Sequence, residues 1–396
     1  VKVVQQLKNT VEKATKTGLY VGEVTNNYIK FSGMNFRIVG VVDGNVKIAS
    51  AEDIANVNYS DLDEWLKYYY EHINKDSKDY VVKTKYCNDT LTDTSTKECS
   101  KYTDEKYVYI LSVQDINNAT DDAGNSYLYP ETIDWVANAK TNKESWTTRE
   151  YFSDSTLKYM EFSKDYNFGI RPVLTIKGDA LITSGDGTSE KPYMIDDYDI
   201  GTSGDKVNTR LSGEFIEYSN MLWQIIETTD SSLTKVISYN TMTVDSLRDI
   251  SYPTGETKNI YNPNKKGNIG YIINQKASDA IDEKYFVKTE IEVPIYKTLA
   301  TYKRTSSTKK YNVKFHAPNM YEMHTARNTN TQRSYWLMNS SNEEYRRYIV
   351  SEIGVVFYEK EGTPTDAGTR IVGYLDKNCQ IVQGQGTKDN PYKITK

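Results

Sequence analysis

The sequence predicts an α+β protein made of two tandem copies of one domain, each with mixed, mostly antiparallel strands and one main helix. Three observations lead there. Tyr28-Ile-Lys-Phe-Ser-Gly-Met-Asn-Phe-Arg-Ile-Val39 returns as Phe215-Ile-Glu-Tyr-Ser-Asn-Met-Leu-Trp-Gln-Ile-Ile226. Gly185-Asp-Gly-Thr-Ser-Glu-Lys-Pro-Tyr-Met-Ile195 returns as Gly384-Gln-Gly-Thr-Lys-Asp-Asn-Pro-Tyr-Lys-Ile394. Between these blocks, each copy carries short alternating apolar runs bounded by turn residues, and one stretch with helical spacing. The division expected is a short N-terminal helix (1–17), a first module (18–195), a polar, glycine-containing linker (196–208) and a second module (209–396).

The N-terminal helix follows from Val4, Leu7, Val11 and Ala14 at three- to four-residue spacing, stopped by Thr17-Gly18. It reads either as the end of a longer stalk or anchor, or as a docking helix of the first module. The first module then opens with strands Tyr28–Phe31 and Phe36–Val42, a turn at Asp43-Gly44-Asn45, and a strand Val46–Ala49. Ser60 is placed to cap a helix over 61–73, whose inner face carries Leu62, Trp65, Leu66, Tyr69 and Ile73. Tyr80-Val-Val-Lys-Thr84 matches Tyr285-Phe-Val-Lys-Thr289, after the expected second-module helix over 269–283. Weaker matches pair 107–116 with 311–323, and Gly169-Ile-Arg-Pro-Val-Leu174 with Gly368-Thr-Arg-Ile-Val-Gly373. Residues 87–104, 117–150, 297–310 and 325–347 read as long loops, the usual place for binding surfaces on a rigid scaffold.

A net charge of −5 and a pI near 5.5 argue against a dedicated nucleic-acid binder. No apolar run approaches the length that spans a bilayer. The chain begins at Val1 rather than Met, so membrane attachment is expected only through an anchoring or targeting segment upstream. The 34 tyrosines suit either strand formation or binding surfaces. Cys87 and Cys99 bracket a Thr-, Asp- and Ser-rich stretch that cannot form a packed core. A disulfide there implies an oxidising, extracellular setting; a metal pair or two free thiols are the alternatives. Cys379 reads as a buried free thiol.

Raw material for catalysis is sparse. His72, His316 and His324 stand in no recognised metal-binding spacing, and no phosphate-binding glycine loop is present. No enzyme, cofactor or metal is therefore expected. Asp121-Asp-Ala-Gly-Asn-Ser126 offers hard oxygen ligands but lacks the spacing of a calcium loop, so a solvated turn is the plainer reading. The stretch 297–333 is the candidate ligand-binding segment. Lys297, Lys303, Arg304, Lys309, Lys310, Lys314, Arg327 and Arg333 face one acid, Glu322, and are interleaved with Tyr302, Tyr311, Phe315 and Tyr321. Arg171 and Arg370 sit in matching strands, where a guanidinium suits tying loops together.

The opening hairpin block, the Gly169-Ile-Arg171-Pro-Val strand and the closing Gly-x-Gly-Thr-x-x-x-Pro-Tyr hairpin resemble repeat modules of Gram-positive bacterial surface proteins. Those modules look distantly related to the C-type-lectin-like fold of formylglycine-generating enzymes and retroelement-diversified binding proteins. The resemblance spans roughly residues 20–195 and 211–394 and implies two C-type-lectin-like modules. It implies no formylglycine-generating activity, since Cys379 stands alone where that reaction uses a cysteine pair. The function it implies is extracellular adhesion or recognition of a host or neighbouring-cell glycan or protein. Similar modules also follow pilin-type helices, and a minor, tip-located or pilus-associated subunit contacting other pilus subunits is the alternative.

Overall fold

The structure, a computed structural model, describes residues 5–73, 75–130, 133–151, 156–195, 201–242, 260–296, 304–326, 331, 333–341, 346–350, 356–360 and 367–396. The chain is α+β, and it divides into two compact units, Val1–Asp199 and Ile200–Lys396.

In the first unit the larger sheet runs, in spatial order, through Gln5–Gln6, Leu181–Ser184, Tyr193–Ile195, Tyr28–Phe31, Met34–Val42, Asn45–Ser50 and Pro172–Ile176. Val81–Val82 and Val108–Ile110 both add to this last strand. The two opening turns close on residues with positive φ, Ser32-Gly33 and Asp43-Gly44, as tight hairpins with a matched twist require. A second sheet orders Thr156–Ser163, Glu144–Tyr151, Asp134–Ala139, Asn167–Ile170 and Ala55–Asn58.

The second unit repeats the larger sheet as Phe315–His316, Val372–Leu375, Thr234–Ser238, Met221–Thr228, Phe215–Tyr218, Tyr392–Thr395 and Gln380–Gln383. Its registers match those of the first unit. Val81 faces Ile176 as Phe286 faces Leu375, and Tyr193 lies parallel to Ile29 as Tyr392 lies parallel to Ile216. Trp223, Phe286 and Phe315 fill the core under this sheet with Ile273 and Ala277 of the helix Ile269–Ala280. Phe286 and Phe315 set edge to face at 4.8 Å, and Trp223 and Phe286 tilted at 5.2 Å, add to that burial.

Several expectations change. The stretches 117–150, 297–310 and 325–347 are not simply loops, because they contribute Asp134–Ala139, Glu144–Tyr151, Arg304–Val313 and Tyr335–Ser341 to the second sheets. Ser, Thr, Lys and Arg dominate two of these strands, Glu144–Tyr151 and Arg304–Val313, so their apolar alternation is faint. Asn58, not Ser60, makes the first cap, accepting from the Asp61 amide of a 3-10 turn ahead of the helix Leu62–His72. Residues 201–208, assigned to a linker by composition, pack on the second unit through fully buried Val207. The N-terminal helix spans Leu7–Ala14, with Leu7 and Val11 buried and Ala14 exposed; Val4 lies outside the described residues. The Leu7 amide donates to the Ala180 carbonyl at 2.8 Å, as the Val207 amide does to Cys379 at 3.0 Å. The helix therefore occupies the place that a single 3-10 turn, Val207–Thr209, holds in the second unit.

Candidate functional site

Two equivalent points in the units frame what differs between them. Thr84 and Thr289 follow matching strands, and Val108 and Phe315 begin matching strands, pairing with Leu174 and Gly373. Between these points the first unit inserts the Cys87–Cys99 segment. The second inserts a hairpin, Thr289–Tyr296 with Arg304–Val313. Both inserts meet the same strand end: the Leu91 amide donates to the Ala139 carbonyl, and Ile295 pairs beside Ser340. The two segments singled out in the sequence thus occupy one topological position.

In the first unit Cys87 and Cys99 form a disulfide, with Cα atoms 5.9 Å apart. The sulfurs and the Asp89 carboxylate cluster within 4.8 Å, but bonded sulfurs offer a metal no thiolate. Asp89 is buried and instead accepts from the Ser100 amide (2.9 Å), the Ser100 hydroxyl (3.0 Å) and Gln114 Nε2 (3.0 Å). The loop has no regular secondary structure, so its carbonyls need other donors. The helix Val113–Asn118, capped reciprocally by Ser112 and Asp115, supplies them. Asn117 Nδ2 donates to the Thr94 and Thr96 carbonyls, both at 2.7 Å, and Asn118 Nδ2 to that of Lys97 at 2.9 Å. Asn138 Nδ2 takes the Asp89 carbonyl, and Trp146 Nε1 that of Leu91. Thr92, Asp93, Ser95, Lys97 and Glu98 are left exposed. The Ser95 hydroxyl and amide hold the Asp93 carboxyl below its usual range. This is a stiff polar surface of hydroxyls and charges, suited to hydrogen bonding with a polar ligand.

The amide shelf escaped the sequence reading. Gln114, Asn117 and Asn118 stand at i, i+3 and i+4 after a Ser-x-x-Asp cap, a spacing that places three amides on one helix face. That pattern was the available signal.

Among the described residues of the basic stretch in the second unit, two lysines are paired with acids. Lys310 lies 2.9 Å from Glu290 and 3.2 Å from Glu292 on the neighbouring strand, and Lys314 lies 2.5 Å from Glu283. Lys309 is exposed and Arg333 half-buried. Lys303 and Arg327 lie outside the described residues, as does the side chain of Arg304. Acids outside the window, unseen in a linear charge count, offset two of its cations.

His316 is buried in a network. Its Nδ1 donates to the Ala317 carbonyl at 2.7 Å, and its Nε2 meets the Tyr374 hydroxyl at 3.1 Å. Glu322, third residue of the capped helix Met320–Thr325, lies 2.5 Å from Lys235, which also reaches Glu227 at 3.1 Å. Burial pushes His316 below its ordinary value. Burial alone would raise Glu322, but Lys235 and the Asn319 amide hold it low. The first unit carries the same pair in simpler form, Lys47 with Asp115 at 2.5 Å. The side chains of His72 and His324 lie outside the described residues. Asp121 accepts the Ala123 and Asn125 amides and so closes a turn. Cys379 is buried and free. Arg171 and Arg370 tie loops together through backbone carbonyls.

No family model, curated protein or solved structure matches the chain.

Proposed function

We propose that this is a non-enzymatic extracellular surface protein in which two tandem C-type-lectin-like modules, the first preceded by a short helix, mediate adhesion or recognition. One observation carries the reading. The units keep the same framework pairs, Lys47–Asp115 with Lys235–Glu322 and Arg171 with Arg370, yet replace one segment wholesale between equivalent strands. A scaffold held constant while one segment changes suits recognition of different targets by loops on a rigid support. The disulfide supports an oxidising compartment. In the first module the surface is the disulfide loop, whose ligand would be a glycan or a polar protein face. In the second it is the Arg304–Val313 hairpin.

A glycan and matrix-protein array tests this with the intact chain and with a variant whose segment 92–98 is replaced by glycine and serine. Binding that the replacement removes, with folding retained by circular dichroism, is the expected result. No binding across broad panels, together with incorporation into filaments, would overturn it in favour of the pilus-subunit reading. That alternative has less behind it, since the Leu7–Ala14 helix that suggested it holds the place of the Val207–Thr209 turn.

A further inference from the structure

The two framework arginines are placed alike but balanced differently. Arg171 Nε donates to the Ser50 carbonyl at 2.8 Å and its Nη1 to that of Leu128 at 2.7 Å. Arg370 does the same to Ser238 and Ala326, both at 2.7 Å. Neither is accessible, at 4 % and 0 % exposed. In the first unit Asp134 and Asp53 support the cation's charge. The Asp134 carboxylate lies against Gly169, where a Cβ would come within 2.2 Å of its Oδ1.

The backbone bonds identify the corresponding residues in the second unit. The Gly169 amide donates to the Ile133 carbonyl, and the Gly368 amide to that of Ser334, so Tyr335 stands in the place of Asp134. The Ile54 amide donates to Ile170, and the Met242 amide to Thr369, so Thr241 stands in the place of Asp53. Both carboxylates are gone. A tyrosine ring, its centroid 5.6 Å from the guanidinium carbon, faces Arg370 instead. Two buried polar atoms are left without a hydrogen-bond partner, Arg370 Nη2 and Thr241 Oγ1. Among the described residues no acid forms an ion pair with Arg370; burying a cation without a counter-charge is costly, and so is each unmade hydrogen bond. Above Gly368 the near neighbours are the Met242 carbonyl and, at 3.5 Å, the Thr241 Cβ.

We infer that the second unit holds a small, singly charged anion at Arg370 Nη2 and the Thr241 hydroxyl, in the position that its own carboxylates fill in the first unit. The Tyr335 ring stands where the first unit has the Asp134 carboxylate and faces the guanidinium. A singly charged anion such as chloride or formate matches the charge of one buried guanidinium; a dianion such as sulfate would leave a buried charge unneutralised. The occupant neutralises the guanidinium and accepts from both orphaned groups.

The test is bromide anomalous diffraction from crystals of the whole chain, with chemical unfolding in sodium chloride, formate, sulfate and gluconate at matched ionic strength. A bromide peak within hydrogen-bond reach of Arg370 Nη2 is expected. The second unit's unfolding midpoint should rise with the logarithm of chloride or formate concentration, but not in sulfate or gluconate. Whichever of chloride and formate acts at the lower concentration identifies the preferred occupant. Thr241→Asp, which restores the first unit's acid, should remove both the peak and the dependence. A peak that persists in Thr241→Asp marks an adventitious ion and overturns the inference. So do an empty site and identical midpoints in the four salts, a readout that stands on the unaltered protein alone.

Discussion

Lys47 and Lys235 stand at the same point of the same strand in the two units, and each reaches the acid three residues after a helix cap. Their surroundings differ. Lys47 meets Asp115 in a half-open setting, with side chains 13 % and 16 % exposed. Lys235 bridges Glu322, 1 % exposed, and Glu227, beneath Tyr374 and beside His316, whose Nδ1 is 4.0 Å from Glu322. A pair that water still reaches tolerates the loss of a partner, because the remaining charge is solvated. A sealed pair does not. One framework device thus serves as a modest tether in one copy and a folding requirement in the other.

The largest effect should come from Lys235→Met, which leaves Glu322 buried without its cation. A loss of about 3–5 kcal/mol is expected in the second unit, read from guanidinium unfolding through Trp223 and Trp336. The double variant Lys235→Met/Glu322→Met should recover most of it. A single-variant loss below about 1 kcal/mol would place the pair with ordinary surface ion pairs. Lys47→Met should cost less, about 1–3 kcal/mol, in the first unit; an equal or greater loss would break the comparison.

The smallest effect is pH dependence in the second unit. His316 and Glu322 both have folded values below their ordinary 6.5 and 4.5. Their contribution is complete above those values and is lost as pH falls, first below 6.5 as the unfolded His316 takes up its proton. Lys235, raised above its ordinary 10.5, contributes fully below that value and loses its contribution only in stronger alkali. Stability should therefore fall from pH 7.5 to 5.5 by at most about 1.4 kcal/mol per pH unit for the one histidine. His316→Tyr installs the residue found at the matching position, Tyr109, and should flatten that limb of the urea-midpoint profile. An unchanged slope would remove His316 from the account.

Much of the larger sheets was legible because their hairpins carry strong local signals: alternating apolar residues, Ser-Gly, Ser-Asn and Asp-Gly turns, and a Gly-x-Gly closing turn. The second sheets were not. Glu144–Tyr151 and Arg304–Val313 are rich in Thr, Ser, Lys and Arg, and strands of this make-up differ little in composition from loops, even where Ser145 and Thr147 are fully buried. Cys87 and Cys99 could be singled out by spacing, but the donors that hold their loop, Gln114, Asn117, Asn118, Asn138 and Trp146, are scattered along the chain and converge only on folding.

By itself the sequence determined that one framework is written twice, that the class is α+β and that Cys87 and Cys99 belong together as one candidate pair. Periodicity, turn chemistry and repetition are local properties, readable along a chain. Only the tertiary structure decided that the disulfide loop and the basic hairpin share one position, that Lys310 and Lys314 are offset by Glu290, Glu292 and Glu283, and that Arg370 lacks the acids Arg171 keeps. Charge balance depends on distance and burial, and residues far apart in sequence set both.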